Sequence, residues 1–205
     1  MSLRIAVIYY SATGNVYQLA RAVAEGAEEL DAEVRLRRVA ELASEEARAK
    51  NPAWKAHYEE TCQTVSEAQL DDLEWADAYA FGTPTRFGTP AAQLKEFLDQ
   101  AGGLWAKGVL ANKAVTTFTS AITLHGGQEA TLLSLNNVFY HWGCLLVPPG
   151  YTDQAVYDAG GNPYGTSLST PNGKAENLEA VLQAARYQGK RLAKVAASLH
   201  RQNIR

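Results

Sequence analysis

The sequence predicts an α/β protein in which helices cover both faces of one parallel β-sheet. Short apolar segments alternate along the 205 residues with segments whose apolar side chains recur every three or four positions. The composition, 46% hydrophobic and 20% charged, suits one well-buried core. No repeat or low-complexity linker interrupts the alternation. We therefore expect a single domain over residues 1–205, with right-handed crossovers between parallel strands.

The first half of the chain contains three predicted strands. Residues 5–9 are apolar and rich in β-branched and aromatic side chains, as a buried strand is. Residues 15–30 have the spacing of an amphipathic helix. Residues 33–39 alternate polar and apolar side chains, as an edge strand does, and residues 77–82 form the third strand.

A longer excursion, at about residues 44–69, separates the second and third strands. Because this segment is polar, we interpret it as a solvated surface excursion. Contact with a partner subunit is the alternative, through Trp54, His57, Tyr58 and Cys62.

The second half continues the alternation. A helical face from Leu94 to Ala101 precedes a strand at residues 114–118, and a helix-compatible set of apolar residues extends to Trp142. Residues 144–147 form the fifth strand, which the following prolines end. The last helix spans about residues 174–199 and has Gly189 on its apolar face, which predicts close packing against a neighbour.

The loop from Ser11 to Asn15 joins the first strand to the first helix. Backbone N–H groups at a helix start lack partners and lie at the positive end of the helix dipole, so they favour an anion. Ser11 and Thr13 add hydroxyl donors, Asn15 adds an amide, and Gly14 allows close approach. An ordinary capped junction between a strand and a helix explains the same residues.

The residues around this loop narrow the choice of anion. No Lys or Arg lies between Ile5 and Ala20, which excludes a nucleoside triphosphate loop with its phosphate-binding lysine. The G-x-G-x-x-G fingerprint is also absent, so a Rossmann-type dinucleotide site is not supported. A phosphate monoester remains as the candidate anion for this loop.

Two further loops are predicted at the same edge of the sheet. Five strands with such a first loop favour the order 2-1-3-4-5, in which ligands bind beside the carboxyl ends of strands one, three and four. Residues 82–90 contain two prolines and two glycines, and residues 119–127 are small and polar. Three such loops predict a planar ligand with a phosphate tail, namely flavin mononucleotide (FMN). The alternative is that Gly and Pro simply make tight turns.

Charge and composition exclude several other classes of protein. The net charge of −3 and the dispersed basic residues give no surface for nucleic acid. There is neither a signal peptide nor a transmembrane segment, so we expect a cytoplasmic protein. Two cysteines are too few for a disulfide framework, and the histidines share no metal-ligand spacing, so we expect no metal.

The motifs GTPTRFG at residues 82–88, GGLWA at 102–106 and ARYQG at 185–189 resemble those of the WrbA family of NAD(P)H:quinone oxidoreductases. The resemblance extends from residue 3 to about residue 195. It implies a flavodoxin-like three-layer sandwich with a five-stranded parallel sheet in the order 2-1-3-4-5. It also implies non-covalently bound FMN and a homotetramer.

The resemblance assigns FMN-binding residues to the three loops. They are Ser11, Ala12, Thr13, Gly14, Asn15 and Val16, then Pro84, Thr85, Arg86, Phe87 and Gly88, then Ser120, Ala121, Ile122, Thr123, His125 and Gly126. Ile122 and His125 stand where small residues are expected.

Two more residues match the family outside these loops. His141 matches a histidine beside the flavin, which makes it both a cofactor-binding and a catalytic candidate; a helix-terminal histidine that caps carbonyls is the alternative. Trp105 matches a tryptophan of the substrate site, where a neighbouring subunit completes the pocket. A core aromatic is the alternative for Trp105.

The implied function is two-electron reduction of quinones to hydroquinones with NADH or NADPH by a ping-pong mechanism, with FMN as the redox group. The sequence does not decide between NADH and NADPH. A flavodoxin-type electron carrier is one alternative, although such carriers are usually markedly acidic and this chain is only at −3. A flavin-binding regulatory module is the other.

Overall fold

A parallel β-sheet forms the middle layer of the computed structural model, which describes residues 2–201. The strands run in the order β2-β1-β3-β4-β5, with β6 also paired to β4, and every pair is parallel. The predicted strand order is therefore confirmed. The strands are β1 (Arg4–Tyr9), β2 (Glu33–Arg38), β3 (Ala78–Pro84), β4 (Ala114–Ala121), β5 (Leu145–Leu146) and β6 (Ser167–Ser169).

Helices cover both faces of the sheet and enclose two apolar cores. Ile5, Val7 and Tyr9 of β1 face one core, which α1 and α9 complete. Ala6 and Ile8 face the other, which α5 and α7 complete. The predicted three layers are confirmed. The helices are α1 (Asn15–Glu28), α2 (Glu45–Ala49), α3 (Pro52–Thr64), α4 (Leu70–Trp75), α5 (Ala92–Asp99), α6 (Gly102–Ala106), α7 (Gln128–Trp142), α8 (Gln154–Asp158) and α9 (Leu178–Arg201).

The fifth position of the sheet is shared by two short strands. β5 pairs with Ala114 and Val115 at the start of β4, whereas β6 pairs with residues 119–121 at its end. The sequence prediction gave one strand at residues 144–147 and missed β6, whose sequence Ser-Leu-Ser has little apolar character.

A buried side chain of α9 fills the gap between β5 and β6. Gln188 Nε2 donates to the carbonyl oxygen of Thr117 at 2.8 Å and to Thr116 Oγ1 at 2.6 Å. Its Oε1 accepts the N–H of Thr166 at 2.8 Å. This buried amide therefore satisfies the carbonyl oxygen of Thr117 in β4, with which neither β5 nor β6 pairs.

The helices α1 and α9 touch backbone to backbone. A Cβ atom on Gly189 would lie 2.0 Å from the carbonyl oxygen of Val23, and one on Gly26 would lie 1.9 Å from that of Arg186. Each helix thus has a glycine where the other helix's backbone approaches. The predicted close packing at Gly189 is confirmed.

The excursion between β2 and β3 folds into α2 and α3 and packs on the rest of the protein. The interpretation as a solvated surface segment is wrong for the inner face of α3, where His57 is 9% exposed and Thr61 is 3% exposed. The His57 ring lies beside Gly14 and 5.5 Å from the ring of Tyr17. Polar composition misled the prediction because the buried face of α3 is itself formed by polar side chains, His57 and Thr61.

We expect Gly189→Ala to lower the free energy of unfolding by roughly 1–3 kcal/mol, because the added methyl group meets a carbonyl oxygen and forces the helices apart. Urea unfolding measures the change. Gly103→Ala is the matched control, since a Cβ there has no neighbour within 4 Å, and it should be neutral or stabilising by up to about 1 kcal/mol. Equal effects of the two substitutions would contradict the close contact.

Candidate functional site

A cavity of about 480 Å³ lies at the carboxyl ends of β1, β3 and β4. In a parallel sheet of this order, the loops after β1 and β3 leave toward opposite faces and open a crevice between them. The three predicted loops meet at this crevice, together with part of the excursion.

The first loop presents hydrogen-bond donors. Gly14 adopts a left-handed conformation (φ 91°) that turns the chain into α1, and its N–H donates to Ser11 Oγ at 3.1 Å. Within residues 2–201, the N–H groups of Thr13, Asn15 and Val16 meet no acceptor. Since the first turn of α1 also has no acidic residue, this end of the helix favours an anion.

The second loop contains a strained tight turn. Arg86 N–H donates to the carbonyl oxygen of Thr89 at 2.8 Å, and Thr89 N–H donates back at 3.0 Å. Phe87 (φ 52°) and Gly88 (φ 79°) between them are both left-handed, as in a type I′ turn. Phe87 is 105% exposed, so its ring adds no burial to the fold and lies free at the cavity mouth.

Threonine side chains join the second and third loops. Thr119 Oγ1 donates to the carbonyl oxygen of Thr83 at 2.7 Å, and Thr131 Oγ1 donates to Thr85 Oγ1 at 3.1 Å. The N–H of Thr85 also donates to the carbonyl oxygen of Ser120 at 2.8 Å. The two walls of the cavity are therefore fixed relative to each other.

The third loop is held from behind by Gln128, which was not predicted from the sequence. Its Nε2 donates to the carbonyl oxygens of Thr123 at 2.8 Å and Leu124 at 3.2 Å, and to Ser169 Oγ at 3.1 Å. Gln128 is only 3% exposed. Its position directly after Gly126 and Gly127, at the end of the third loop, was the sequence signal for this role.

The excursion supplies a fourth wall, through Asn51 and Trp54 at the start of α3. Neither residue was predicted from the sequence to line the cavity. The indole N–H of Trp54 donates to Glu41 Oε2 at 2.9 Å. A tryptophan in a polar segment was the only signal that could have pointed to this wall.

Glu41 anchors the fourth wall to the sheet and to α5. Besides Trp54, it accepts the Tyr10 hydroxyl at 2.9 Å, Gln93 Nε2 at 2.8 Å and the N–H of Ala43 at 2.9 Å. Burial alone would raise the pKa of the Glu41 carboxyl, but these hydrogen bonds together lower the pKa below its usual value. The group is therefore a carboxylate at neutral pH.

His57, which is in α3 like Trp54, packs against the first loop at Gly14. Burial lowers the pKa of His57, with a smaller opposing effect from Glu60, so the imidazole is neutral near pH 7. The first loop therefore has neutral hydrogen-bond donors and a neutral imidazole packed against it.

The second loop carries Arg86. Its guanidinium is exposed and donates to the carbonyl oxygen of Thr85 at 3.3 Å.

Most of the predicted cofactor residues line the cavity. They are Ser11, Ala12, Thr13, Asn15, Val16, Pro84, Thr85, Arg86, Phe87, Ser120, Ala121, Ile122, Thr123 and Gly126. Gly14, Gly88 and His125 lie in the same loops but outside the lining. Gly14 faces His57 on the far side of its loop.

Within one chain, His141 does not reach the cavity. The helix α7 begins beside the third loop at Gln128, and His141 follows 13 residues later, about 20 Å along the helix axis. His141 and Trp105 instead lie together, because Trp105 Nε1 donates to the carbonyl oxygen of His141 at 2.9 Å. Trp105 is 55% exposed, so the alternative of a core aromatic is wrong.

The sequence model of the NADPH-dependent FMN reductase family matches residues 3–155. The chain belongs to this family. It is 44% identical over 197 residues to a protein of Deinococcus radiodurans named NAD(P)H dehydrogenase (quinone), with 96% of this chain and 97% of that protein covered. A protein of Methylocella silvestris with the same name is 44% identical over 201 residues and covers 96% of this chain and 98% of its own length.

Solved structures have the same fold. A flavodoxin, WrbA-like protein from Agrobacterium tumefaciens has a TM-score of 0.66 and 27% identity, covering 96% of this chain and 99% of its own. The resemblance to the WrbA family is therefore confirmed. An archaeal flavodoxin with a TM-score of 0.62, 16% identity and coverage of 95% and 99% shows the fold alone.

We expect Glu41→Gln to lower the free energy of unfolding at pH 7 by roughly 1–3 kcal/mol, because one carboxylate oxygen becomes a donor that faces other donors. The folded pKa is lower than the usual 4.5, so the carboxylate's contribution is complete above pH 4.5 and is lost as the pH falls through the folded value. The difference between wild type and variant should therefore shrink on acidification.

Urea unfolding at pH 7, 4 and 3 measures this difference. Glu59→Gln is the control, since Glu59 is exposed and forms only a surface pair with Lys55 at 3.7 Å. A deficit of the same size at pH 7 and pH 3 would show that the Glu41 charge does not hold the wall.

Proposed function

We propose that the protein is an FMN-dependent NAD(P)H:quinone oxidoreductase that reduces quinones to hydroquinones by two electrons. The observation that carries the proposal is the cradle of unpaired N–H donors at the start of α1, beside two braced loops. The relatives named NAD(P)H dehydrogenase (quinone) support the reaction, because they match almost their whole length. The matching family of NADPH-dependent FMN reductases supports the cofactor and the donor.

The residues present fit FMN. A phosphate monoester needs several donors and no acceptors, which the N–H groups of Thr13, Asn15 and Val16 and the hydroxyls of Ser11 and Thr13 provide. The loops at residues 84–87 and 120–126 would hold the flat ring system, because both are rigid and carry apolar side chains beside polar backbone. Ser11–Val16 would hold the phosphate.

When bound, FMN supplies the two-electron redox chemistry between a nicotinamide and a quinone. The protein's own residues bind and orient. The threonine hydrogen bonds and Gln128 hold the walls in place before binding. Little conformational entropy is therefore lost when a ligand binds. Ile122 and Phe87 are exposed at the mouth, where their side chains would exclude water from a bound ring. We also infer a ping-pong sequence, since one cavity would receive the donor and the quinone in turn.

The roles of His141 and Trp105 belong to the proposed tetramer. In this proposal, a neighbouring subunit completes each pocket, and the exposed Trp105 is available for that contact. His141 would then hold a proton near a quinone oxygen as negative charge develops.

Among the helices within residues 2–201, none is long and apolar enough to cross a membrane. A cytoplasmic location stays a prediction.

We expect the purified protein to form a yellow complex with FMN and to oxidise NADH or NADPH when benzoquinone is present. Initial rates over both substrate concentrations should give parallel double-reciprocal lines, as a ping-pong mechanism requires. A protein that binds no FMN contradicts the proposal. A stable semiquinone without NAD(P)H oxidation would instead identify an electron carrier.

We expect Ser11→Ala and Thr13→Ala each to weaken FMN binding about ten-fold, because each removes a donor to a charged phosphate. Riboflavin, which has no phosphate, should bind both variants as it binds wild type. Calorimetric titration with FMN and riboflavin measures this, with the exposed Ser66→Ala as control. Equal losses for both flavins would show that these hydroxyls do not contact phosphate.

A further inference from the structure

The wall formed by the excursion lies outside the three loops proposed for FMN. Asn51 and Trp54 come from the start of α3, yet they border the same cavity as Thr13, Arg86 and Phe87. A cavity that takes a cofactor and then a substrate needs a surface for each. This wall is therefore available to the substrate.

The indole of Trp54 is held in place before any ligand binds. Its N–H donates a hydrogen bond to the Glu41 carboxylate. That carboxylate also accepts hydrogen bonds from the Tyr10 hydroxyl, Gln93 Nε2 and the N–H of Ala43, which hold it in place. The ring is half-buried, so part of its surface remains open to the cavity. A fixed aromatic ring costs little conformational entropy when a flat ligand stacks on it.

The groups around Trp54 indicate the ligand. The Phe87 ring is fully exposed, and the Arg86 guanidinium is a cation at the same cavity. Asn51 Oδ1 accepts the N–H groups of Ala53 at 3.1 Å and Trp54 at 3.3 Å, while its amide nitrogen makes no hydrogen bond within residues 2–201. Aromatic faces, a cation and an amide donor match a base-bearing, phosphorylated ligand better than a small uncharged quinone.

We propose that Trp54 binds the nicotinamide nucleotide, with its indole packed against a planar ring of that substrate, and that Glu41 positions it. This inference rests on the proposed function, because it assigns the donor's place at the same site. It adds a donor-binding wall from the β2–β3 excursion, with Asn51 as its polar member, and Arg86 of the second loop supplies the cation at the same cavity.

The test compares Trp54→Ala, Trp54→Leu and Trp54→Phe in the FMN-loaded protein. We expect the alanine and leucine variants to raise the KM for NAD(P)H about ten-fold or more, since a stacking face is lost. The phenylalanine variant keeps an aromatic face and should stay within about three-fold of wild type. The KM for benzoquinone, the kcat and the Kd for FMN should change less than two-fold in all three.

Trp75→Ala is the matched control, because Trp75 in α4 is also a partly exposed helical tryptophan but does not line the cavity. Its ring instead packs under the guanidinium of Arg35, whose Cζ lies 4.0 Å from the ring centroid. Titration of oxidised NAD⁺ and NADP⁺ into each FMN-loaded protein gives a second readout that does not depend on turnover. Binding should weaken in the same variants that raise the KM.

Several results would overturn the inference. An unchanged KM and Kd for the nucleotide in Trp54→Leu would exclude the stacking role. A rise only in the KM for benzoquinone would assign the wall to the quinone, and a rise in the Kd for FMN would assign it to the cofactor. If wild type binds nucleotide without reducing quinone, the proposed function fails, whereas the binding series still decides the role of Trp54. If wild type binds no nucleotide, both the proposed function and the proposed role of Trp54 fail.

Discussion

The position of helix α1 is the constraint on which the site depends. Two glycines, Gly26 and Gly189, let α1 and α9 meet at backbone distance, which fixes the C-terminal half of α1 against α9. The donor cradle lies at the opposite end of the same helix, where His57 packs on Gly14. Since a helix is a stiff rod, contacts at its two ends together set where the unpaired N–H groups lie.

The cavity owes its rigidity to residues that mostly do not line it. Thr119 and Thr131 join the second and third loops, Gln128 holds the third loop from behind, and Glu41 holds the wall of the excursion. Such a supporting layer keeps the walls in place without a ligand, so less of the binding free energy is spent on ordering them.

The sequence predicts those features of the fold that depend on local pattern. The main strands and the loop at Ser11–Asn15 follow from apolar periodicity and turn residues, because each is encoded within a few positions. The strand order follows from the general rules for parallel sheets of this type. β6 could not be predicted, since its strand character comes from pairing with β4 rather than from Ser-Leu-Ser itself. Trp54 was missed as a wall residue because its position depends on Glu41, 13 residues away in the chain. The distance of His141 from the cavity within one chain could not be predicted, because a motif match contains no distance.

The way the sheet ends also bears on how the protein avoids edge-to-edge association. At one edge, β5 and β6 are only two and three residues long, and Gln188 occupies the interval between them. At the other, β2 carries Arg35, Arg37 and Arg38, and the chain at Ser66–Ala68 covers its end by hydrogen bonds with Arg38. Short strands and charged side chains are poor templates for an added strand. Both margins of the sheet therefore resist the strand addition that leads to aggregation.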